Sequence, residues 1–251
     1  MRRYSRRAKK GTKKLRPMKG GNHGKIYVFY HVYCNHNTAP IVKDQCLRII
    51  LSNLYKRVDA IYCFLVGQAE KIAEVESLLK NLGKKFKVAA KGPDDKSYER
   101  FTLEKIPEYV KPEDKFLYIH SKGVTDKNFF TGEDAKKEAI FWWRTWMEYF
   151  LMTQYETCIE KLNEYDIIGV NYSEYLIGKH FSGNFWWTTG KYYLTLPKKV
   201  PDLEIRPYNA PEVYIFKGTN PRHYDMDSGR VPPNSKGIYE DLIYSGKYVD
   251  F

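Results

Sequence analysis

Between residues 25 and 120, apolar runs of strand length alternate with segments of helical period, and this alternation limits the architecture more than any other feature of the chain. "KIYVFYHVY" (25–33), "VDAIYCFLVG" (58–67), "KFKVAA" (85–90) and "DKFLYIH" (114–120) are rich in β-branched and aromatic residues, as buried strands are. Between them, "IVKDQCLRIILSNLYK" (41–56) sets Ile41, Cys46, Ile49, Ile50 and Leu54 on or near one helical face. "AEKIAEVESLLKNLG" (69–83) is an amphipathic helix closed by Gly83, and a third helix is expected over roughly 98–110. Strands alternating with helices predict an α/β fold whose twisted, mostly parallel sheet is covered on both faces.

The second half is less regular. It reads as a long helix from about Glu133 to Tyr165, a fifth strand "DIIGVNY" (166–172), the aromatic run "HFSGNFWWTTGKYYLTLP" (180–197), the segment "PEVYIF" (211–216) and a Pro/Gly/Asn-rich tail. No repeat and no linker divides the body, so residues 25–251 are expected to form one domain.

The formal charge of +12 belongs to one end of the chain. Residues 1–24 hold ten Lys and Arg and no acid, which leaves 32 basic against 30 acidic residues in the body. Without apolar periodicity and ending in "KGGNHG", this segment is expected to be a disordered polybasic arm. Such an arm suits nucleic acid, anionic membrane or an import receptor equally, or serves only solubility. No apolar segment follows the basic start as in a secretory signal, and the longest greasy stretch, "AIFWWRTWMEYFLM" (139–152), is interrupted by Arg144 and Glu148 and too short to span a bilayer. Cys34, Cys46, Cys63 and Cys158 are scattered, a pattern of reduced core thiols; the expectation is a soluble, cytoplasmic protein, and the sequon at Asn171 reads as chance.

In an open parallel sheet, ligands bind outside the carboxyl ends of the strands. The residues just past each run are polar: His31 to His36, Gly67, "GPDDKSYER" and "HSKG". No G-x-G-x-x-G follows the first strand, no phosphate-loop Lys follows Gly178 to Gly183, and G-x-S-x-G and H-E-x-x-H are absent, so dinucleotide, P-loop, serine-hydrolase and zincin chemistries have no support. What remains is an anion site with acids nearby. Lys122, in a turn ending at Gly123, can neutralise a diphosphate while N–H groups of His120, Ser121, Lys122 and Gly123 donate to its oxygens. The plainer alternative is that His120 bonds a neighbouring carbonyl and Lys122 is a solvated turn residue. Ser182 and Gly183 allow close backbone approach to a ligand, and adjacent Trp186 and Trp187 point to opposite faces of a strand. Glu212, after Pro211, is either a helix-start carboxylate or a general base, and Arg144 pairs with Glu148 at i+4 or reaches a phosphate.

The order of these parts resembles nucleotide-sugar-dependent glycosyltransferases with a single Rossmann-like domain, the GT-A fold, over roughly residues 25–216. "IHSKG" followed by a Trp/Arg-containing helix also resembles rhamnan-synthesis-type proteins and sugar transferases of large DNA viruses. The resemblance implies donor contacts from His31, Asn35, Asp94, Asp95, Arg100, His120, Ser121, Lys122 and Gly123, and acceptor or sugar contacts from His180, Ser182, Gly183, Asn184 and Trp186. It implies that Glu212 is the catalytic base, that a nucleotide-diphosphate sugar is the co-substrate and that a glycan or glycoprotein hydroxyl is the acceptor. The family's D-x-D metal element is replaced by "HSKG", so Lys122 stands in for a Mn or Mg ion, or His120, Asp225 and Asp227, with His223, supply ligands. The expected activity is inverting sugar transfer; the alternatives are nucleic-acid binding through the arm and a sugar-binding module without catalysis.

Overall fold

The computed structural model describes residues 24–93, 97–124, 135–175, 177–204 and 207–227; the basic arm, Asp94, Asp95 and the tail after Asp227 lie outside these. The expected α/β architecture is present. Strands β1 (Ile26–Cys34), β2 (Ala60–Gly67), β3 (Phe86–Gly92) and β4 (Lys115–His120) are parallel neighbours. With β5 (Ile167–Gly169), β6 (Tyr172–Ser173), β7 (His180–Phe181), β8 (Trp186–Thr189) and β9 (His223–Asp225), they form a seven-stranded sheet in the order β3-β2-β1-β4-β8-β5-β9 and a small β6-β7 ribbon. In the seven-stranded sheet only β8 runs against its neighbours, so its amino end lies at the edge where the other six strands have their carboxyl ends. Eight of the nine β1 residues are buried, because a central parallel strand is covered on both faces.

The helices divide between those faces. Helices α1 (Thr38–Leu51), α2 (Leu54–Arg57), α3 (Ala69–Leu82), α5 (Ala135–Glu148) and α6 (Tyr155–Lys161) cover a core that includes Val28, Tyr30, Ile49, Val75, Met147 and Trp187. The opposite face carries α4 (Arg100–Leu103), α7 (Gly190–Tyr193) and α8 (Ala210–Tyr214) over Phe29, Phe116, Tyr118 and Trp186. Trp186 and Trp187 therefore do face opposite layers, and neither is exposed.

Two expectations are corrected. The helix foreseen to run from Glu133 to Tyr165 breaks at a π-helical turn, Tyr149–Thr153, before α6. The carbonyls of Leu151 and Phe150 are taken by Trp187 Nε1 at 2.8 Å and Cys158 Sγ at 3.4 Å, which supply partners outside the α-helical ladder. The helix foreseen over 98–110 is the single turn α4 and a 3₁₀ turn at Ile106–Glu108, with Pro107 inside it. All four cysteines are buried and free. Among the described residues, no helix is long and apolar enough to cross a membrane.

Candidate active site

Register brings the first two site residues together. His31 of β1 and His120 of β4 are direct parallel partners at the carboxyl edge, on the face covered by α4, α7 and α8. His31 Nδ1 lies 2.7 Å from Thr102 Oγ1 on α4, and burial lowers its pKa to about 4. His120 Nε2 lies 2.9 Å from the Gly183 carbonyl, which can only accept, so the neutral ring carries its proton on Nε2. Burial and the nearby Lys122 charge hold this imidazole down at about 3. His120 thus does bond a neighbouring carbonyl, but Lys122 is not a solvated turn residue.

Lys122 is half-buried, with Nζ 3.8 Å from the centre of the Trp143 ring. Burial lowers its pKa, opposed by the charges of Glu212 and Glu99. The turn that carries it is tied down on its carbonyl side. Gln45 Nε2 donates to the His120 carbonyl at 3.3 Å and Arg144 Nη1 to that of Lys122 at 3.5 Å. Asn35 and Asn37 donate to the carbonyl of Val124 at 2.9 and 3.2 Å. The Ser121 hydroxyl accepts from the Tyr33 N–H at 3.0 Å, so it joins β1 to β4. Lys122 N and Val124 N donate within the turn, whereas the Gly123 N–H has no partner among the described residues; Gly123 has φ +98°, a left-handed conformation that favours glycine. A cation beside one unspent N–H is a small anion cradle.

Glu99 is the site residue the sequence reading passed over. It precedes α4 as the N-cap but makes no capping bond. Its Oε2 instead accepts from Tyr118 Oη and Asn184 Nδ2, both at 2.7 Å, and Oε1 lies 4.0 Å from His120 Nε2. Burial raises its pKa against the pull of His31, Tyr118, Asn184 and Lys122. Its signal was weak: Glu is a poor choice for a helix N-cap, where Ser, Thr, Asp or Asn is preferred, and Asp94 and Asp95 stood closer to the strand end.

The remaining residues divide. Glu212 lies in the first turn of α8, and its charge acts on Lys122 and His120. Asn184 is fully buried, its Oδ1 accepting from Trp186 Nε1 at 2.8 Å, and Trp186 stacks on Tyr118 at 4.9 Å; both hold the site rather than line it. Gly183 has φ +91°, but a side chain there would meet Met147 Sδ at 2.6 Å, so its smallness serves α5. Ser182 Oγ and His180 Nε2 pair at 3.3 Å, with His180 Nδ1 on the Gly178 carbonyl at 2.7 Å. Arg100 turns to Asp202 at 2.8 Å. Arg144 makes the expected i,i+4 pair with Glu148 at 3.2 Å.

Asp225 accepts from the Tyr172 N–H at 2.9 Å and Asp227 from Trp146 Nε1 at 3.0 Å, while His223 stacks on Tyr172. Among the described residues, no three His, Cys, Asp or Glu side chains are grouped to hold a metal ion. At the turn itself the Lys122 ammonium supplies positive charge.

A family model described as "Domain of unknown function (DUF8361)" matches residues 29–199. No curated protein matches the chain. Among solved structures, the fold is similar to the 4-diphosphocytidyl-2C-methyl-D-erythritol synthase of Anaerococcus prevotii DSM 20548, at 8% identity and a TM-score of 0.44 over 89% of this chain and 95% of that one. It is also similar to Rv0371c of Mycobacterium tuberculosis H37Rv, at 11% identity and TM-score 0.38 over 69% of this chain and 75% of that one. The glycosyltransferase GlyE of Streptococcus pneumoniae TIGR4 is similar at 15% identity and TM-score 0.27, over 66% of this chain and 34% of that one.

Proposed function

The chain belongs to the DUF8361 family, and we propose that it is a glycosyltransferase that moves a sugar from a nucleotide-diphosphate sugar to an acceptor hydroxyl of a glycan or glycoprotein. The observation that supports this reading is the turn at the carboxyl edge of a parallel sheet, where Lys122 stands with a Gly123 N–H unspent among the described residues and within the electrostatic influence of Glu212. A cation and an N–H donor suit the leaving diphosphate, and a carboxylate whose charge reaches them suits a hydroxyl that must lose a proton.

In the proposed reaction Glu212 takes the proton of the acceptor hydroxyl as its oxygen attacks the anomeric carbon. The bond from that carbon to the β-phosphate oxygen breaks, and its electron pair leaves with the nucleoside diphosphate. Lys122 and the Gly123 N–H stabilise the negative charge that develops there. A single displacement of this kind inverts the anomeric configuration. His31 and His120, held neutral, offer hydrogen bonds without adding charge, and Glu99 fixes the wall of the site through Asn184 and Tyr118.

Thermal stabilisation by UDP-, GDP-, dTDP- and CMP-sugars, each with manganese and with EDTA, tests the reading, since a ligand bound to the folded state raises the melting temperature. A shift with UDP-, GDP- or dTDP-sugars supports it, persistence in EDTA assigns the diphosphate charge to Lys122, and a shift with CMP-sugars alone contradicts the diphosphate leaving group. Folded protein that no donor stabilises sinks it. Donor binding without transfer to any hydroxyl favours the sugar-binding module.

A further inference from the structure

Behind the turn, α1 and α5 meet through charged side chains that the proposed chemistry does not use. Arg144 and Glu148 are each 1% exposed. Arg144 Nη2 pairs with Asp44 at 2.7 Å and its Nε with Glu148 at 3.2 Å, and Glu148 also pairs with Arg48 at 2.9 Å. Gln45 stands beside the same cluster, accepting from Tyr30 Oη at 2.6 Å. Buried ion networks are a weak source of stability, because apolar residues of similar volume often do as well or better. Here the network has a second connection: Arg144 and Gln45 are the side chains that hold the carbonyls of Lys122 and His120.

We infer that Arg144 and Glu148 are positioning residues of an anion site at the 120–124 turn. Arg144 holds the Lys122 carbonyl, Gln45 the His120 carbonyl, and Glu148 orients Arg144. The turn then presents the Lys122 ammonium and the Gly123 N–H to a phosphate or diphosphate and keeps its carbonyl oxygens away from it. Carbonyl oxygens facing an anion would repel it, so fixing them backwards contributes selectivity as well as order. The inference deepens the proposed function and rests on its reading of the turn as the anion site. The polar and charged groups around Glu148 are Arg144 on its own helix, Arg48, Asp44 and Gln45 from α1, and Tyr30 from β1.

The test uses the full chain, with inorganic pyrophosphate as probe, and measures its affinity together with hydrogen exchange of the Lys122, Gly123 and Val124 amides. Arg144→Met is expected to weaken pyrophosphate about tenfold and to speed exchange in the turn, the size of effect that loss of one charge-assisted hydrogen bond carries. Arg144→Lys, which keeps the charge but not the planar fork, is expected to recover part of both. Arg48→Met breaks the network where it does not touch the turn, and is expected to leave affinity within twofold. Wild-type affinity and exchange in folded Arg144→Met overturn the inference, as does an Arg48→Met that weakens pyrophosphate equally. Should Arg144→Met not fold, wild-type values in Arg144→Lys and Glu148→Gln overturn it instead. Wild-type protein that binds no pyrophosphate refutes the anion reading of the turn, and unchanged exchange in the variants then refutes the positioning role separately.

Discussion

Asn184 Nδ2 donates to Glu99 Oε2 at 2.7 Å, joining residues 85 apart in sequence across the carboxyl edge of the sheet. The orientation of this amide is determined by chemistry: the Trp186 indole can only donate, so Asn184 Oδ1 must face it and Nδ2 must face Glu99. One carboxylate oxygen is thereby committed to structure, shared with Tyr118, while the other is directed toward His120 at 4.0 Å. Glu99 is both a strut and a source of negative charge beside Lys122.

Those two roles separate by substitution. Glu99→Ala strands the buried Asn184 amide and Tyr118 hydroxyl, at about 1–3 kcal/mol each, and is expected to lower the melting temperature by several degrees. Glu99→Gln keeps an acceptor for both while removing a buried charge, and is expected to melt near the wild type. Thermal denaturation of both variants decides: equal losses mean that the charge, rather than the hydrogen bonds, holds the wall.

Lys122→Ala removes a cation whose charge interacts with both Glu99 and Glu212. The expected result is about 10–100-fold weaker binding of a nucleoside diphosphate by calorimetry, the range for hydrogen bonds to charged groups, with little change in fold. Unaltered affinity would detach the diphosphate from this turn.

Much of the scaffold was legible because buried parallel strands write themselves as continuous apolar runs, and β1 to β4 begin and end within two residues of their expected bounds. The break at Tyr149–Thr153 was not legible, since the partners that take its carbonyls, such as Trp187, lie far along the chain. The same reason hid Glu99. Its importance comes from Tyr118, Asn184 and His120, which meet only once β4 and β8 pair. His120 and Lys122 were visible because a polar turn directly after an apolar strand is a local signal, whereas the roles of Asn184 and Trp186 in holding the wall depend on burial that no local pattern records.

Stability should depend on pH with opposing contributions. His31 and His120 have folded pKa values lowered to about 4 and about 3, so the unfolded chain takes up protons first as pH falls below about 6.5, and their stabilisation, complete above that value, is lost on the way down. Glu148 is pushed up to about 7 by burial, so its contribution is complete below the ordinary carboxylate range and is lost as pH rises toward 7. Near pH 5.5 the two histidines outweigh the one carboxylate by about one proton, a rise in stability of about 1.4 kcal/mol per pH unit from these groups. Urea midpoints between pH 5 and 7.5 check this. His120→Asn should flatten the rise, and Glu148→Gln should gain on the wild type as pH increases; parallel curves for Glu148→Gln and wild type would contradict the assigned direction.

Glu212→Gln tests the proton transfer itself. Gln is nearly isosteric and can still hydrogen-bond the acceptor, but it cannot take its proton, so substrate affinities should hold while turnover falls about 10²–10⁴-fold, the usual contribution of general base catalysis. The comparison needs kcat and KM separately, because a lost binding contact raises KM with kcat intact, whereas a lost base lowers kcat. Normal turnover in Glu212→Gln would transfer the base role away from α8. NMR of the first product formed by the wild type supplies the second half of the test: inversion at the anomeric carbon agrees with one displacement assisted by Glu212, and retention would require a different path in which a carboxylate or the leaving phosphate shields the attacking face.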